Sequence, residues 1–360
     1  MKRLLDPSSL RALARGCAVL GAGGGGDPYL GLLQALQATE DFGPVPLVDL
    51  DELPEDSLIM PCGGIGAPTV SIEKIENGDE GDRLRDHLEF LTGRRVSALM
   101  PAEIGGSNGL LPVAWAARMR LPIADADGMG RAFPEIPQVT MHLAGISPSP
   151  AVMTDERGNL VIFQTISGQW MERLERAAAV EFGGAASSTE FSMTAAQARG
   201  ATVRNSVTLA IRIGEAVGRA AADPVDALIA EVGAFRLITG KVLDVERRTT
   251  SGFARGSVVV EGLGPDAGRL IRLEIQNENL VALERGRVLA SVPDLISVVD
   301  TETADAIVTE RVAYGQRVAV IAFPCDPVWR TEKGIMVAGP RSFGYDFDYV
   351  PVEELAGATA

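Results

Sequence analysis

Through about residue 165, apolar positions recur at helical spacing in some stretches and cluster in short runs in others. SSLRALARG reads as a helix with Ser8 or Ser9 at its N-cap, and DPYLGLLQAL as a second helix opened by Asp27 and Pro28. Short apolar runs of strand type follow: VPLVDL, SLIMPC, RVSALMPAE and LPIADAD. The helix-like segments DRLRDHLEFLTG and GLLPVAWAARM lie between them, and AVMTDERGNLVIFQ folds back as a hairpin around Glu156 to Asn159. Strand and helix in alternation predict an α/β fold, a mainly parallel sheet with flanking helices.

The pattern then changes twice. SGQWMERLERAAAVEFG and NSVTLAIRIGEAVGRAA predict a helical section. From about Phe235, FRLITGKVLDVERRT, GSVVVEGL, RLIRLEIQNENLVAL and RVAVIAFPC read as strands joined by glycine-rich or polar turns. The expected organisation is an α/β domain with glycine-rich ligand loops over 1–165, a helical section packing on it over 166–233, and a β-rich C-terminal domain over 234–360.

Charge narrows the partners. The formal net charge of -15 sets the chain against nucleic acid and anionic membranes, leaving a small molecule as the expected ligand. No apolar run reaches membrane-spanning length, and Asp6 and Pro7 interrupt the opening MKRLLDPSSL before a signal-type core forms. Cys17, Cys62 and Cys325 are too few and too scattered for a disulfide framework or a zinc knuckle, so a cytoplasmic location is expected.

The chemistry is best sought where the strands end. SLIMPC runs into GGIGAPTVSIEK, SALMPAE into IGGSNG, and LPIADAD into GMGRAFPE. In an open parallel sheet these segments leave from one edge, where ligands bind. They carry Gly64, Glu73, Glu103, Asn108, Asp125, Asp127, Arg131 and Glu135, while Cys62 ends a strand at that edge and is a candidate nucleophile. With only two histidines in the chain, acids must supply general acid or base. Asp125 and Asp127 could also hold a divalent cation, or Asp127 could simply begin a turn with Gly128; the expectation is that neither metal nor cofactor is bound.

Gly21, Gly23 and Gly26 match the dinucleotide pattern G-x-G-x-x-G. Two features weigh against a nucleotide. The preceding strand would be the very short CAVL, and Asp27 stands where its carboxylate would occupy the helix N-terminus. Gly23, Gly24, Gly25 and Gly26 are therefore read as a loop that lets backbone line the pocket.

GAGGGGDP, GGIGAPTVSIEK, PAEIGGSNG, DADGMGRAFPE and DPVWRTEKGIMVAGPRSFGYDFDYVPVE occur in this order along nearly the whole chain. Together they resemble the S-methyl thiohydantoin desulfurase family, often encoded beside hydantoinase-type genes. The resemblance implies an N-terminal α/β domain, a β-rich C-terminal domain, and a reaction on a five-membered cyclic ureide or its sulfur analogue. The expected activity is hydrolysis of an S-methyl thiohydantoin to a hydantoin with release of a thiol. In it Asp127 or Asp125 activates water, Glu103 protonates the ring nitrogen or departing sulfur, and Arg131 pairs with a substrate carboxylate. The alternatives are a nucleotide-dependent oxidoreductase using Gly21 to Gly26, and a non-catalytic accessory subunit of a hydantoinase-like complex. A second copy of the chain or a hydantoinase-type protein is the expected macromolecular partner.

Overall fold

The computed structural model describes residues 3–66, 70, 73–220, 223–250 and 253–357; part of the GGIGAPTVSIEK loop and Ala221 lie outside them. Helix α1 (Pro7–Leu20) is capped by Asp6, whose carboxylate accepts from Ser9 N, so the cap sits just ahead of the expected Ser8 or Ser9 and leaves Pro7 at the first helical position. Helix α2 (Pro28–Phe42) is capped by Asp27 through Tyr29 N, as its Asp-Pro start prescribes.

The N-terminal sheet is mixed. Its centre is β2 (Val45–Val48), β5 (Ile123–Ala124), β4 (Val96–Pro101) and β3 (Leu58–Gly66), adjacent in that order and parallel throughout. β1 (Arg3–Leu5) adds antiparallel beside β2. On the other side, antiparallel β9 (Ala185–Thr189), β7 (Ala151–Thr154) and β8 (Leu160–Phe163) extend the sheet from β3. The expected parallel sheet is thus its middle, and the expected hairpin is β7–β8. β9 was not foreseen: AASST has no apolar alternation and one β-branched residue, Thr189, and it brings part of the supposedly helical section into the first sheet.

The second sheet is antiparallel, ordered β16-β15-β14-β13-β12-β18-β17, with β12 (Phe235–Thr250), β13 (Phe253–Gly262), β14 (Leu270–Gln276), β15 (Glu278–Glu284), β16 (Arg287–Ser291), β17 (Leu295–Asp300) and β18 (Arg317–Phe323). RLIRLEIQNENLVAL is therefore two strands. The chain reverses at Asn277, whose φ of 58° lies in the left-handed region.

The two sheets share one apolar core, in which Cys17, Leu20 and Ile104 join Leu280, Val299 and Phe323. The glycine loop is the joint between them. Ala22 O accepts from Asn279 N at 2.8 Å, Gly23 O from Thr309 N at 2.9 Å, and Gly25 O from Ser107 N at 2.9 Å. Gly25 combines a φ of 74° with Gly105 O lying 2.2 Å from where a Cβ would stand. Gly25→Ala is expected to cost roughly 2–4 kcal/mol, left-handed strain plus overpacking against backbone that cannot swing away. Gly93→Ala, at a φ of 66° with nothing within 4 Å of the added carbon, should cost about 1 kcal/mol. Urea midpoints of the two variants check the difference.

Candidate active site

A cavity of about 600 Å³ opens beyond the C-terminal ends of β3 and β4, a size suited to a substituted small ring. Gly25 and Gly26 line it on one side, Gly63 to Gly66 on another, and Asn277 and Glu278 close it from the second sheet. Of the sequence-derived candidates, Gly25, Gly26, Gly64, Glu103, Asn108 and Glu135 reach this space.

Glu103 leaves the end of β4 and is 8% exposed. Its Oε1 accepts from Asn108 Nδ2 at 2.5 Å and its Oε2 from Phe133 N at 3.3 Å. Asn108 is fixed in turn by Gly64, whose N–H donates to Asn108 Oδ1 at 2.7 Å. Burial pushes the Glu103 carboxyl up to about 8, outweighing these hydrogen bonds, so it is protonated at neutral pH. A buried acid holding a proton beside a cavity is equipped to donate it.

Glu278, 2% exposed, stands across the glycine loop: a Cβ on Gly24 would fall 2.0 Å from Glu278 Oε1. Gly24 therefore lets the acid approach, although Gly23 and Gly24 themselves do not line the cavity. Burial, then the charge of Glu103, raises Glu278 well above the usual carboxylate range, and Arg131 opposes that rise.

Arg131 does not meet the expectation of a substrate clamp. It is fully buried outside the cavity lining, donating from Nε to Ala132 O at 2.9 Å and from Nη1 to Pro293 O at 2.5 Å and Asp294 O at 2.9 Å. Its guanidinium lies 4.3 Å from the Phe133 ring centre. It fastens the two sheets together.

Asp125 and Asp127 are also committed elsewhere. Asp125 accepts from Thr208 N at 2.9 Å and Oγ1 at 2.5 Å, anchoring the helix Ser206–Arg219. Asp127 Oδ2 accepts from Ile104, Met129 and Gly130 N–H at 2.8–2.9 Å, tying two ligand loops together. Neither acid lines the cavity, so neither is placed to activate water there. Burial still raises Asp127 to about 6 against the pull of those N–H groups.

Cys62 is fully buried beside Met100 O and its thiol is pushed far up by burial, which removes the thiolate a nucleophile needs. Glu73 is exposed, outside the lining. The glycine run follows α1 rather than a strand, and Asp27 both caps α2 and pairs with Arg311, so the phosphate cradle of a dinucleotide fold is not formed. Among the described residues no group of three or more His, Cys, Asp or Glu is arranged to hold a metal ion.

Two family models meet end to end on this chain. The S-Me-THD-like N-terminal domain matches residues 8–165 and the S-Me-THD-like C-terminal domain residues 166–352. The chain belongs to the S-Me-THD-like family. A crystal structure of a structural-genomics protein from Chromobacterium violaceum is similar over 97% of this chain and 100% of its own, with a TM-score of 0.80 and 24% identity, a likeness of fold. No curated protein matches.

Three acids at or behind this cavity were not foreseen. Glu278 comes from the other sheet, and the signal was a polar Asn-Glu pair interrupting an apolar run. Glu190 follows β9 and lines the cavity, while Glu175 lies behind it on the helix Gly168–Glu181. Glu175 was legible: it falls on the buried stripe Gly168, Met171, Glu175 and Ala179, a charge where helical spacing asks for an apolar residue. Among the described residues the two cations on the lining are already engaged. Lys74 donates to Phe182 O and Ala185 O at 2.5 and 2.6 Å and pairs with Glu156 at 2.8 Å, and Arg176 pairs with Glu172 at 2.8 Å.

Buried acids of raised pKa make stability pH-dependent. The folded state keeps the Glu103 proton up to about 8, whereas the ordinary value is 4.5. Its contribution is fully present below the lower value and lost as pH rises through the upper one. Glu76 and Glu310, both raised to about 7 by burial, act in the same direction. The melting temperature is therefore expected to fall between about pH 5 and about pH 8.5, and Glu103→Gln to flatten the upper part of that fall, as calorimetry across buffers will read.

Proposed function

We propose that this S-Me-THD-like protein hydrolyses an S-methyl thiohydantoin-type ring to the hydantoin and releases methanethiol. The observation that carries the reading is Glu103, a carboxyl kept protonated to about 8 by burial and aimed by Asn108 at a cavity of ring size. Family membership supports the substrate class.

The ring sits with the carbon that bears sulfur between Glu103 and the glycine loop. Glu103 gives its proton to the ring nitrogen as water adds to that carbon, which relieves the negative charge developing there. The N–H groups of Gly25 and Gly26 have no protein acceptor among the described residues and are the donors available to a ring carbonyl. Collapse of the adduct breaks the carbon–sulfur bond, restores a carbonyl and frees the thiol. Among the described residues the cations on the cavity wall, Lys74 and Arg176, are already paired with Glu156 and Glu172, so no side-chain clamp for a substrate carboxylate is assigned.

Purified protein incubated with S-methyl thiohydantoins of varied ring substituent, with free thiol assayed, tests the reading; absence of thiol across the panel overturns it. Glu103→Gln is expected to lower turnover by roughly a hundredfold or more, the scale of general acid assistance. Wild-type turnover should decline as pH rises through about 8, where Glu103 loses its proton. Asp127→Asn should lose stability by about 1.5–3 kcal/mol through weakened charge-assisted hydrogen bonds, while turnover per folded molecule stays within a few-fold. A hundredfold loss in stably folded Asp127→Asn would return the base to Asp127.

A further inference from the structure

Hydrolysis needs a base as well as an acid, and burial holds both Glu103 and Glu278 toward their protonated forms. A second acidic pair occupies another wall of the cavity. Glu190 is 7% exposed, lines the cavity, and its Oε1 has no hydrogen-bond partner. Glu175 is fully buried directly behind it, with neither oxygen receiving a protein donor. The two carboxyl groups meet each other. Ionised carboxylates only accept, so two in contact without a donor between them repel; one shared proton turns the contact into a hydrogen bond.

Burial raises both acids, Glu175 the further, and the surroundings favour a proton held between them. Glu172 on the same helix adds like charge, and Arg176 is drawn off it by Glu172 at 2.8 Å and Pro134 O at 3.0 Å. From the sheet side Ser188 lies beside Glu190 and holds its pKa down, and the Cys62 thiol faces it uncharged. Glu175, the more deeply buried, keeps the proton and donates it to Glu190, whose side chain lines the cavity.

We infer that Glu175 and Glu190 form a proton-sharing carboxyl dyad, with Glu190 as the catalytic base that activates water and Glu175 as the residue that positions it. The inference rests on the hydrolytic reading above. The protons balance as follows. Glu190 takes one hydrogen of water while the oxygen–carbon bond forms, and Glu103 protonates the ring nitrogen. On collapse the carbon–sulfur electron pair leaves with sulfur, the adduct's hydroxyl proton restores Glu103, and the proton held by Glu190 departs with the thiolate as methanethiol.

The experiment joins three readouts on the full chain: thiol release across pH, calorimetric binding of the matching hydantoin, and the infrared carboxyl band at neutral pH. Glu190→Gln should lower turnover about a hundredfold with hydantoin affinity held within a few-fold, and should shift the protonated-carboxyl band of Glu175, which Glu175→Leu should remove. Glu175→Leu, which removes the donor to Glu190, should move the acidic limb of the turnover profile to higher pH. Glu175→Gln, whose amide still donates, should recover most of that loss. Near-wild-type turnover in Glu190→Gln, or loss of affinity as large as the loss of rate, overturns the base assignment. If the wild type releases no thiol, the hydrolytic reading and the base assignment both fail; an infrared band untouched by either substitution overturns the dyad alone.

Discussion

The rest of the molecule depends on one close approach: the backbone of Gly21 to Gly26 lies between the loops of the first sheet and the reversal at Asn277 of the second. Its carbonyls receive N–H groups from both sides, from Ser107 and from Asn279 and Thr309. Side chains would hold those partners apart, since a Cβ on Gly24 falls on Glu278 and one on Gly25 falls on the Gly105 carbonyl. The contact does more than join two sheets. It brings Glu278 to the cavity that Glu103 enters from β4, so the site exists only as the two sheets are docked.

Around that cavity, hydrogen-bond donors decide what each buried acid can do. Asp127 has three backbone N–H groups on one oxygen and is raised only to about 6, whereas Glu103, with an amide and one longer N–H bond, is raised to about 8. The first is an ionised strut near neutrality and the second a proton carrier. Two carboxylates near each other in sequence were an attractive acid–base pair, but Asp127 commits one oxygen to three N–H groups that knit the loops together, away from the cavity lining. Glu190 and Glu278 line the cavity with an oxygen that no protein donor reaches, and Glu175 stands behind Glu190 with neither oxygen reached.

Much of the architecture could be read along the chain because periodicity reports which face is buried. β2, β3, β4, the β7–β8 hairpin and the long strands after Phe235 all came from apolar runs, and the ligand loops followed from strand polarity. Glu103, Asn108, Gly25 and Gly26 were legible as loop residues at that edge. What escaped depended on tertiary partners. AASST pairs as a strand because β3 and β7 offer it edges on both sides, which its own composition does not announce. The inward or outward aim of Asp125, Asp127 and Arg131 is set by where Thr208, Ile104 and Pro293 arrive, and strand alternation is silent on that.

The C-terminal segment that carries part of the family resemblance finds its reason in Asp294, which is fully buried and accepts from Cys325 N, Arg330 Nη2, Tyr349 Oη and Val352 N at 2.8–3.0 Å. Arg330 also pairs with Glu353, so the tail closes on this carboxylate from several directions. The backbone carbonyls of Pro293 and Asp294 are the acceptors that hold Arg131, and Trp329 of the same segment donates to Met129 O at 2.7 Å and stacks edge-on to Phe133. Arg131 is in turn the cation felt by both Glu103 and Glu278. Two buried acids facing one cavity repel when both ionise, and a buried guanidinium nearby eases ionisation without entering the substrate space. A tail remote from the cavity thus acts on its acids through the one cation it fixes in place.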